Sequence, residues 1–373
     1  MSLPLNLPPL DLAGRADDVR AQLAGAGCEA LVLTDLVSIR WLTGFTGSNA
    51  MVLIGDELLF VTDGRYGEAA EAQLAAARVD ARIEVVTRRA DQRDLLTGAA
   101  AGIARLGLEA DDVTWADQRT YDDEWFPTAD LVPTTGLVAD LRRVKSAAEV
   151  ARIEAAATIA DDALDQLRPQ LLDGPTEHEF VTVLERTMID LGADERSFPT
   201  ICAAGPNSAR PHAEPGSRPI AEGDLVVIDF GALVDGYHSD MTRTIAVGEV
   251  APEVRNLLTV ATESQAAGAA AVRPGATAHA VDRACRDVLA DHGLEELLLH
   301  GTGHGLGLEI HETPILRPDG AEELREGEVV TVEPGVYLPG TGGARVEDTV
   351  VVTATGSRPL TRFPKDADGH LHR

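Results

Sequence analysis

Leu225-Val226-Val227-Ile228-Asp229-Phe230-Gly231 is a run of buried-strand type with a carboxylate in its middle. Such runs form the inside of a sheet, where an ionised acid costs several kcal/mol unless it is paired or binds a metal. The anomaly recurs downstream. Val329-Val330-Thr331-Val332-Glu333-Pro334-Gly335 leads into Glu333, and Arg345-Val346-Glu347-Asp348-Thr349-Val350-Val351-Val352 carries two acids in succession. One such acid is compatible with a buried salt bridge. Three, on strands of what reads as one domain, call for concentrated positive charge, and only Arg345 is near in sequence.

Working outward, the run 224–230 pairs in a predicted hairpin with 237–247, turning at Asp235-Gly236. That hairpin puts Asp229 and Asp240 roughly opposite each other, where cross-strand pairing brings them to one face. Upstream, Ser146-Ala147-Ala148-Glu149 and Thr176-Glu177-His178-Glu179 are capping boxes, opening helices that run to about 167 and 191. Downstream the order repeats: a helix over 252–272, a break at Pro274-Gly275, a helix from about 277, then strands over 329–333 and 344–353. Gly174-x-Thr176-x-His178 and Gly275-x-Thr277-x-His279 match at the second helix starts, so the region reads as two α-α-β-β halves related by a pseudo-two-fold. His178 and His279 themselves read as structural. The first 140 residues have a different texture. Apolar strand-like runs at 30–33, 51–54 and 58–62 alternate with helical stretches such as 66–78, an α/β pattern ending in the turn signal Pro133-Thr134-Thr135-Gly136. The fold class is therefore α+β: an α/β domain over 1–140 and a duplicated domain over 141–373.

His304, within His300-Gly301-Thr302-Gly303-His304-Gly305-Leu306-Gly307, sits where glycines let backbone crowd close to a site. With Asp229, Asp240, Glu333 and one of Glu347 and Asp348 it makes four carboxylates and one imidazole, whose charge balances two divalent cations. Oxygen donors with one nitrogen suit manganese, iron, cobalt or zinc better than copper or an iron–sulfur cluster. Two metals about 3.5–4 Å apart can share a water, lower its pKa and polarise a carbonyl, which is equipment for hydrolysis. Plainer readings exist for each part. Asp229-Phe230-Gly231 matches a kinase triplet, but no catalytic or glycine-rich ATP loop accompanies it. The glycines around His304 do not form a dinucleotide fingerprint. Asp348 should point away from Glu347, as a solvated acid or a supporting partner, and spacing alone does not say which of the two is the ligand.

Composition excludes other classes. A formal net charge of −29 repels nucleic acid and anionic membrane. No apolar run approaches the roughly 20 residues that span a bilayer, and the amino terminus lacks a signal-peptide pattern. Cys28, Cys202 and Cys285 are odd in number and far apart, which fits a reducing, cytoplasmic location rather than a disulfide framework.

Taken together, Asp229-Phe230-Gly231, Ser239-Asp240-Met241-Thr242-Arg243-Thr244, the segment 303–312 with Gly303-His304-Gly305 and Ile310-His311-Glu312, Glu333-Pro334-Gly335 and Arg345-Val346-Glu347-Asp348 resemble the pita-bread metallopeptidases. The likeness covers roughly 145–365 and is nearest to the aminopeptidase P and prolidase branch. Ile39-Arg40-Trp41-Leu42-Thr43-Gly44-Phe45 and Thr62-Asp63-Gly64-Arg65-Tyr66 resemble that branch's creatinase-like N-terminal domain, which methionine aminopeptidases lack. The resemblance implies that Asp229 chelates one metal, Asp240 and Glu347 bridge both, and His304 and Glu333 complete the second; this favours Glu347 over Asp348. It implies a substrate contact near the proline for His212, a proline-pocket position for His300 and oxyanion stabilisation by His311. Tyr337 and Arg345 would support the bridging glutamate, and Glu333 with Glu347 would pass the proton. The implied hydrolase takes two divalent ions, manganese first with cobalt or zinc as alternatives. It cleaves before a proline at the second position of a peptide by attack of a metal-bridging hydroxide, and works as a homodimer. The expected activity is that of an Xaa-Pro aminopeptidase. A dipeptidase (prolidase) is the alternative, and a non-catalytic binding protein on the same scaffold the remote one.

Overall fold

The computed structural model describes residues 6–365 and the backbone of 370–371. It divides into two compact units, one formed by Pro8–Arg142 and the other by the chain from Arg143 onward, against whose core Leu7 packs. In the first unit, strands Ala30–Leu33, Ala50–Ile54, Leu58–Asp63, Arg82–Val86, Arg105–Glu109 and Asp130–Thr134 (β1–β6) form one sheet in the order β4-β3-β2-β1-β5-β6. The neighbours of β2 run antiparallel to it and the other pairs are parallel. Every position of β1 and β2 is buried, which is why both read as unbroken apolar runs rather than alternating ones. Helices Arg15–Ala26, Leu36–Thr43, Gly67–Ala76, Arg89–Ala99, Trp115–Thr120 and Leu137–Arg142 (α1–α6) connect and flank these strands.

The second unit opens with helices Ala147–Leu167 (α7) and Glu177–Leu191 (α8), each starting on the capping box read from the sequence. Strands Glu195–Arg196, Ile201–Ala204, Leu225–Phe230, Ala232–Val234, Tyr237–His238 and Met241–Val247 (β7–β12) follow. Helices Pro252–Ala271 (α9) and Ala278–Asp291 (α10) then repeat the helical pair. Strands Gly303–Gly305, Glu312–Leu316, Val329–Val332, Gly335–Leu338, Gly342–Arg345, Asp348–Thr353, Gly356–Pro359 and His370–Leu371 (β13–β20) complete the unit. Two main sheets result, ordered β20-β12-β9-β8 and β14-β13-β15-β18-β19.

Strand alternation decides which acids face where. On β9, Val226, Ile228 and Phe230 pack with Ile159, Leu164, Phe180 and Leu184 of α7 and α8. Asp229 therefore shares the other face with Leu225 and Val227. In the second half, Val330, Val332, Val350 and Val352 pack with Val281 and Cys285 of α10. Asp348 has the parity of Val350 and turns inward, while Glu347 has the parity of Thr349 and turns the other way.

The hairpin differs from the expectation. Asp235 (φ 47°) and Gly236 (φ 76°) do make a left-handed turn, but it joins β10 to β11, not β9 to one long return strand. β12 then pairs with β9 in a register that sets Thr242, not Asp240, opposite Asp229. Asp240 lies just beyond that ladder. The cause is a change of sheet at Gly231, where a Cβ would stand 1.9 Å from the Ser239 carbonyl oxygen. The strand expected over 344–353 is likewise broken: β17 pairs with β16, β18 pairs with β15, and Glu347 occupies the break. Among the described residues no helix is long and apolar enough to cross a membrane.

Candidate metal centre

Asp229, Asp240, His304, Glu333 and Glu347 all line one cavity of about 550 Å³ in the second unit. Each reaches it from a different strand or strand end, as the alternation requires. The main chain fixes these positions. Glu347 N donates to Thr242 O at 3.1 Å, Glu333 N to Thr302 O at 2.8 Å, and Thr349 Oγ1 to Asp240 O at 2.8 Å. Donor atoms of Asp240, His304 and Glu347 lie within 4.8 Å of one another. His304 Nε2 is 3.5 Å from Asp240 Oδ2 and 3.5 Å from Glu333 Oε1.

Protein donors leave this group short. Asp229 Oδ1, Asp240 Oδ1 and Glu347 Oε1 are buried and receive no hydrogen bond, although buried polar atoms are nearly always satisfied. Glu347 Oε2 accepts from Thr242 Oγ1 at 2.7 Å, and Asp229 Oδ2 accepts from Arg345 Nη2. His304 sharpens the point. Its Nδ1 lies 2.9 Å from the Gly305 carbonyl oxygen, which can only accept. Nδ1 must then carry a proton, which leaves Nε2, aimed at two carboxylates, as the ring nitrogen that a metal would take. Burial first, then repulsion from Asp229 and Glu333, holds the Asp240 carboxyl well above the usual range. Glu347 is raised likewise by burial and then by Asp240. Asp229 is raised by burial against the pull of Arg345. Unsatisfied oxygens, an aimed imidazole nitrogen and mutual repulsion together fit the ligand set of a divalent cation, and the donor chemistry suits such ions.

The remaining residues singled out by the sequence lie around this group. The His311 ring meets the His304 ring edge-on at 4.5 Å between centroids, and burial lowers its pKa. Arg345 Nη1 donates to Tyr337 Oη at 2.8 Å, Tyr337 Oη lies 2.8 Å from His300 Nε2, and His300 Nδ1 lies 2.6 Å from the Gly301 carbonyl. Since that carbonyl only accepts, the chain runs Arg345 to Tyr337 to His300. His212 is exposed on the cavity wall. Asp348 is not solvated: it is buried, paired with Arg243 at 2.8 Å and bonded by Thr361.

Two supports escaped the sequence reading. Thr242 holds both Glu347 and Arg345, and its only signal was sharing the parity of Asp240 on one strand. Lys145 Nζ pairs with Glu312 Oε2 at 2.8 Å in a buried site, pinning the loop that carries His311. Nothing local links residues so far apart in the chain. A larger cavity of about 670 Å³ in the first unit gathers Arg65, Arg88 and Arg89, but each stands beside its own aspartate.

The chain resembles known proteins along most of its length. Residues 151–354 match the model of metallopeptidase family M24, and residues 15–144 match that of the creatinase/prolidase N-terminal domain. The chain is 38% identical to the uncharacterized peptidase YqhT of Bacillus subtilis, over 94% of this chain and 99% of the other. It is 34% identical to an Xaa-Pro dipeptidase of Pyrococcus horikoshii, over 86% and 90%. Among solved structures, an Xaa-Pro dipeptidase from Bacillus anthracis superposes with a TM-score of 0.91 at 36% identity, covering 95% and 99% of the two chains. The X-Pro aminopeptidase from Thermotoga maritima gives 0.85 at 31%, covering 94% and 99%.

Proposed function

The chain belongs to metallopeptidase family M24, a pita-bread enzyme with a creatinase-type N-terminal domain, and on that premise we propose that it is an Xaa-Pro aminopeptidase. It removes the residue in front of a proline at the second position of a peptide. The observation that carries this reading is the set of buried, unbonded oxygens on Asp229, Asp240 and Glu347 around one cavity that His304 Nε2 also enters. With Glu333 these residues would hold two divalent cations, manganese first and cobalt or zinc as alternatives. Bound there, the cations supply a nucleophile at neutral pH and polarise the scissile carbonyl.

The chain's own residues do the rest. The free amino group of the substrate enters a cavity where carboxylates outnumber fixed cations, and Phe198, Ile201, Ile310 and Ile315 give its wall an apolar part suited to a pyrrolidine ring. His311, kept neutral by its surroundings, offers an N–H to the carbonyl oxygen as that atom gains charge. Glu333, partly open to the cavity, takes the proton of the attacking nucleophile and passes it to the leaving nitrogen. Arg345 fixes Asp229 directly and Glu347 through Thr242. His212 and His300 would bracket the proline side.

Among the described residues that line the cavity, Arg345 is the one Lys or Arg, and it is committed to Thr242, Tyr337, Pro211 and Asp229. Among these residues no other Lys or Arg is present to grip a free proline carboxylate, which favours a peptide that continues past the proline. The dipeptidase reading is favoured instead by the relatives called Xaa-Pro dipeptidases. A homodimer is part of the proposal by family resemblance, and a cytoplasmic location rests on three buried, unbridged cysteines. The test is metal-loaded protein on Ala-Pro, Ala-Pro-Zaa and Ala-Ala-Zaa peptides, with products read by mass spectrometry. The proposal expects cleavage of the proline tripeptide. Cleavage of Ala-Pro alone would make the enzyme a prolidase, and cleavage of the alanine control at equal rate would remove proline specificity.

A further inference from the structure

The wall that carries His212 is a loop with both ends held by one buried carboxylate. The Oε1 atom of Glu177 accepts from Ala204 N at 2.8 Å and from Asn207 Nδ2 at 3.0 Å, and its Oε2 accepts from Gly216 N at 2.9 Å. Ala204 ends β8, Gly216 closes the loop, and Pro211, His212, Ala213, Glu214 and Pro215 between them line the cavity. The middle of the loop is tied separately. Gly343 N donates to Ser208 Oγ at 2.8 Å, and Arg345 Nη1 donates to Pro211 O at 3.1 Å.

Glu177 is wholly buried, and helix formation does not require its carboxylate. Thr176 and Glu179 already complete the capping box of α8. The second half of the duplicated unit makes the contrast directly. There α10 starts the same way, with Thr277 capping, Ala278 N donating to Glu322 O and His279 N to Gly320 O. These match the bonds from Glu177 N to Arg218 O and from His178 N to Gly216 O. At the position of Glu177 the second half has Ala278, equally buried. The same backbone arrangement therefore stands with alanine, and the carboxylate is an addition on the side that faces the catalytic cavity with His212.

We propose that Glu177 is a positioning residue: it fixes the 204–216 wall so that His212 meets the substrate, and so sets the Michaelis constant for Xaa-Pro peptides. The inference rests on the peptidase reading of this cavity. Glu177→Ala copies the second half. Glu177→Gln is milder, because its amide nitrogen turns a donor toward Gly216 N–H and frees only that end.

The experiment measures kcat and KM on an Ala-Pro-Zaa peptide for wild type, both Glu177 variants, His212→Ala and the double variant, with bound metal and amide exchange over 205–216. Loss of charge-assisted hydrogen bonds should raise KM about tenfold or more. The turnover number and metal content should hold, exchange in 205–216 should quicken, and Glu177→Ala should add nothing to His212→Ala. Unchanged exchange, or effects of the two substitutions that multiply, would overturn the proposal. A wild type inactive on every proline peptide would sink the peptidase reading, with exchange alone then deciding the tether.

Discussion

Among the described residues, metal-binding side chains crowd at two places with donor atoms in reach of one another: Asp35, Glu109 and Asp112 in the first unit, and Asp240, His304 and Glu347 in the second. The two are alike in proximity and opposite in bonding. Glu109 Oε2 accepts the N–H groups of Thr34 and Asp35 at 2.8 and 3.0 Å, and Asp35 caps α2 through Val37 N and Ser38 N. Backbone N–H groups bond the oxygens of both, so the cluster closes a loop and a helix start. In the second unit each of Asp229, Asp240 and Glu347 keeps a buried oxygen that nothing in the protein satisfies. Proximity of carboxylates does not make a metal site; a shortage of protein donors around them does. Glu347 and Asp348 repeat the lesson one residue apart. One faces the cluster, and the other turns to Arg243 and Lys365.

The largest effect should come from the unsatisfied set. Asp240→Asn should abolish peptidase activity and metal retention together, while Asp35→Asn should leave both intact; activity assays with bound-metal analysis compare them. If the Asp240 variant kept its metals and turned over normally, the contrast would collapse. Next in size, Asp348→Asn strips the partner from a buried arginine and should cost about 3–5 kcal/mol in denaturant unfolding. Metal binding should survive in the folded fraction; its loss would move Asp348 into the ligand set.

Much of this was legible before any coordinates. Strands with an acid in the middle pointed to a cation site, and two capping boxes with a recurring helix–strand order pointed to the α+β duplication. What escaped was the relation between Asp229 and Asp240, because a glycine that lets a strand change sheets looks like any other glycine until Ser239 is seen against Gly231. Also hidden were partners such as Lys145 and Glu312, brought together only by tertiary packing. Periodicity alone could say that Glu347 and Asp348 part ways, but not which one finds a cation of the protein's own.

His311→Ala should lower kcat about 10²–10³-fold with metals retained. A metal-depleted variant would instead give this histidine a role in holding the site together. The last contrast is one of pH. Burial raises the carboxyls of Asp229, Asp240 and Glu347, and raises Glu109 to about 7. Groups whose folded pKa exceeds the unfolded one make the folded state bind more protons, so metal-free protein should lose stability as pH rises from about 4.5. Saturating metal should cancel the part owed to the second unit. It should leave the part owed to Glu109, about 3 kcal/mol between its unfolded pKa and about 7, which Glu109→Gln removes. A decline untouched by metal would mean the two clusters do not differ as described.

The most direct test of the central claim is a titration of chelator-stripped protein with Mn²⁺, following bound metal and cleavage of an Ala-Pro-Zaa peptide in the same samples. The account predicts tight uptake of two ions per chain, with activity on the proline peptide rising in step and absent without metal. Activity indifferent to metal, or a protein that takes up none, would contradict it and return the unbonded oxygens of Asp229, Asp240 and Glu347 to an unexplained feature of the fold.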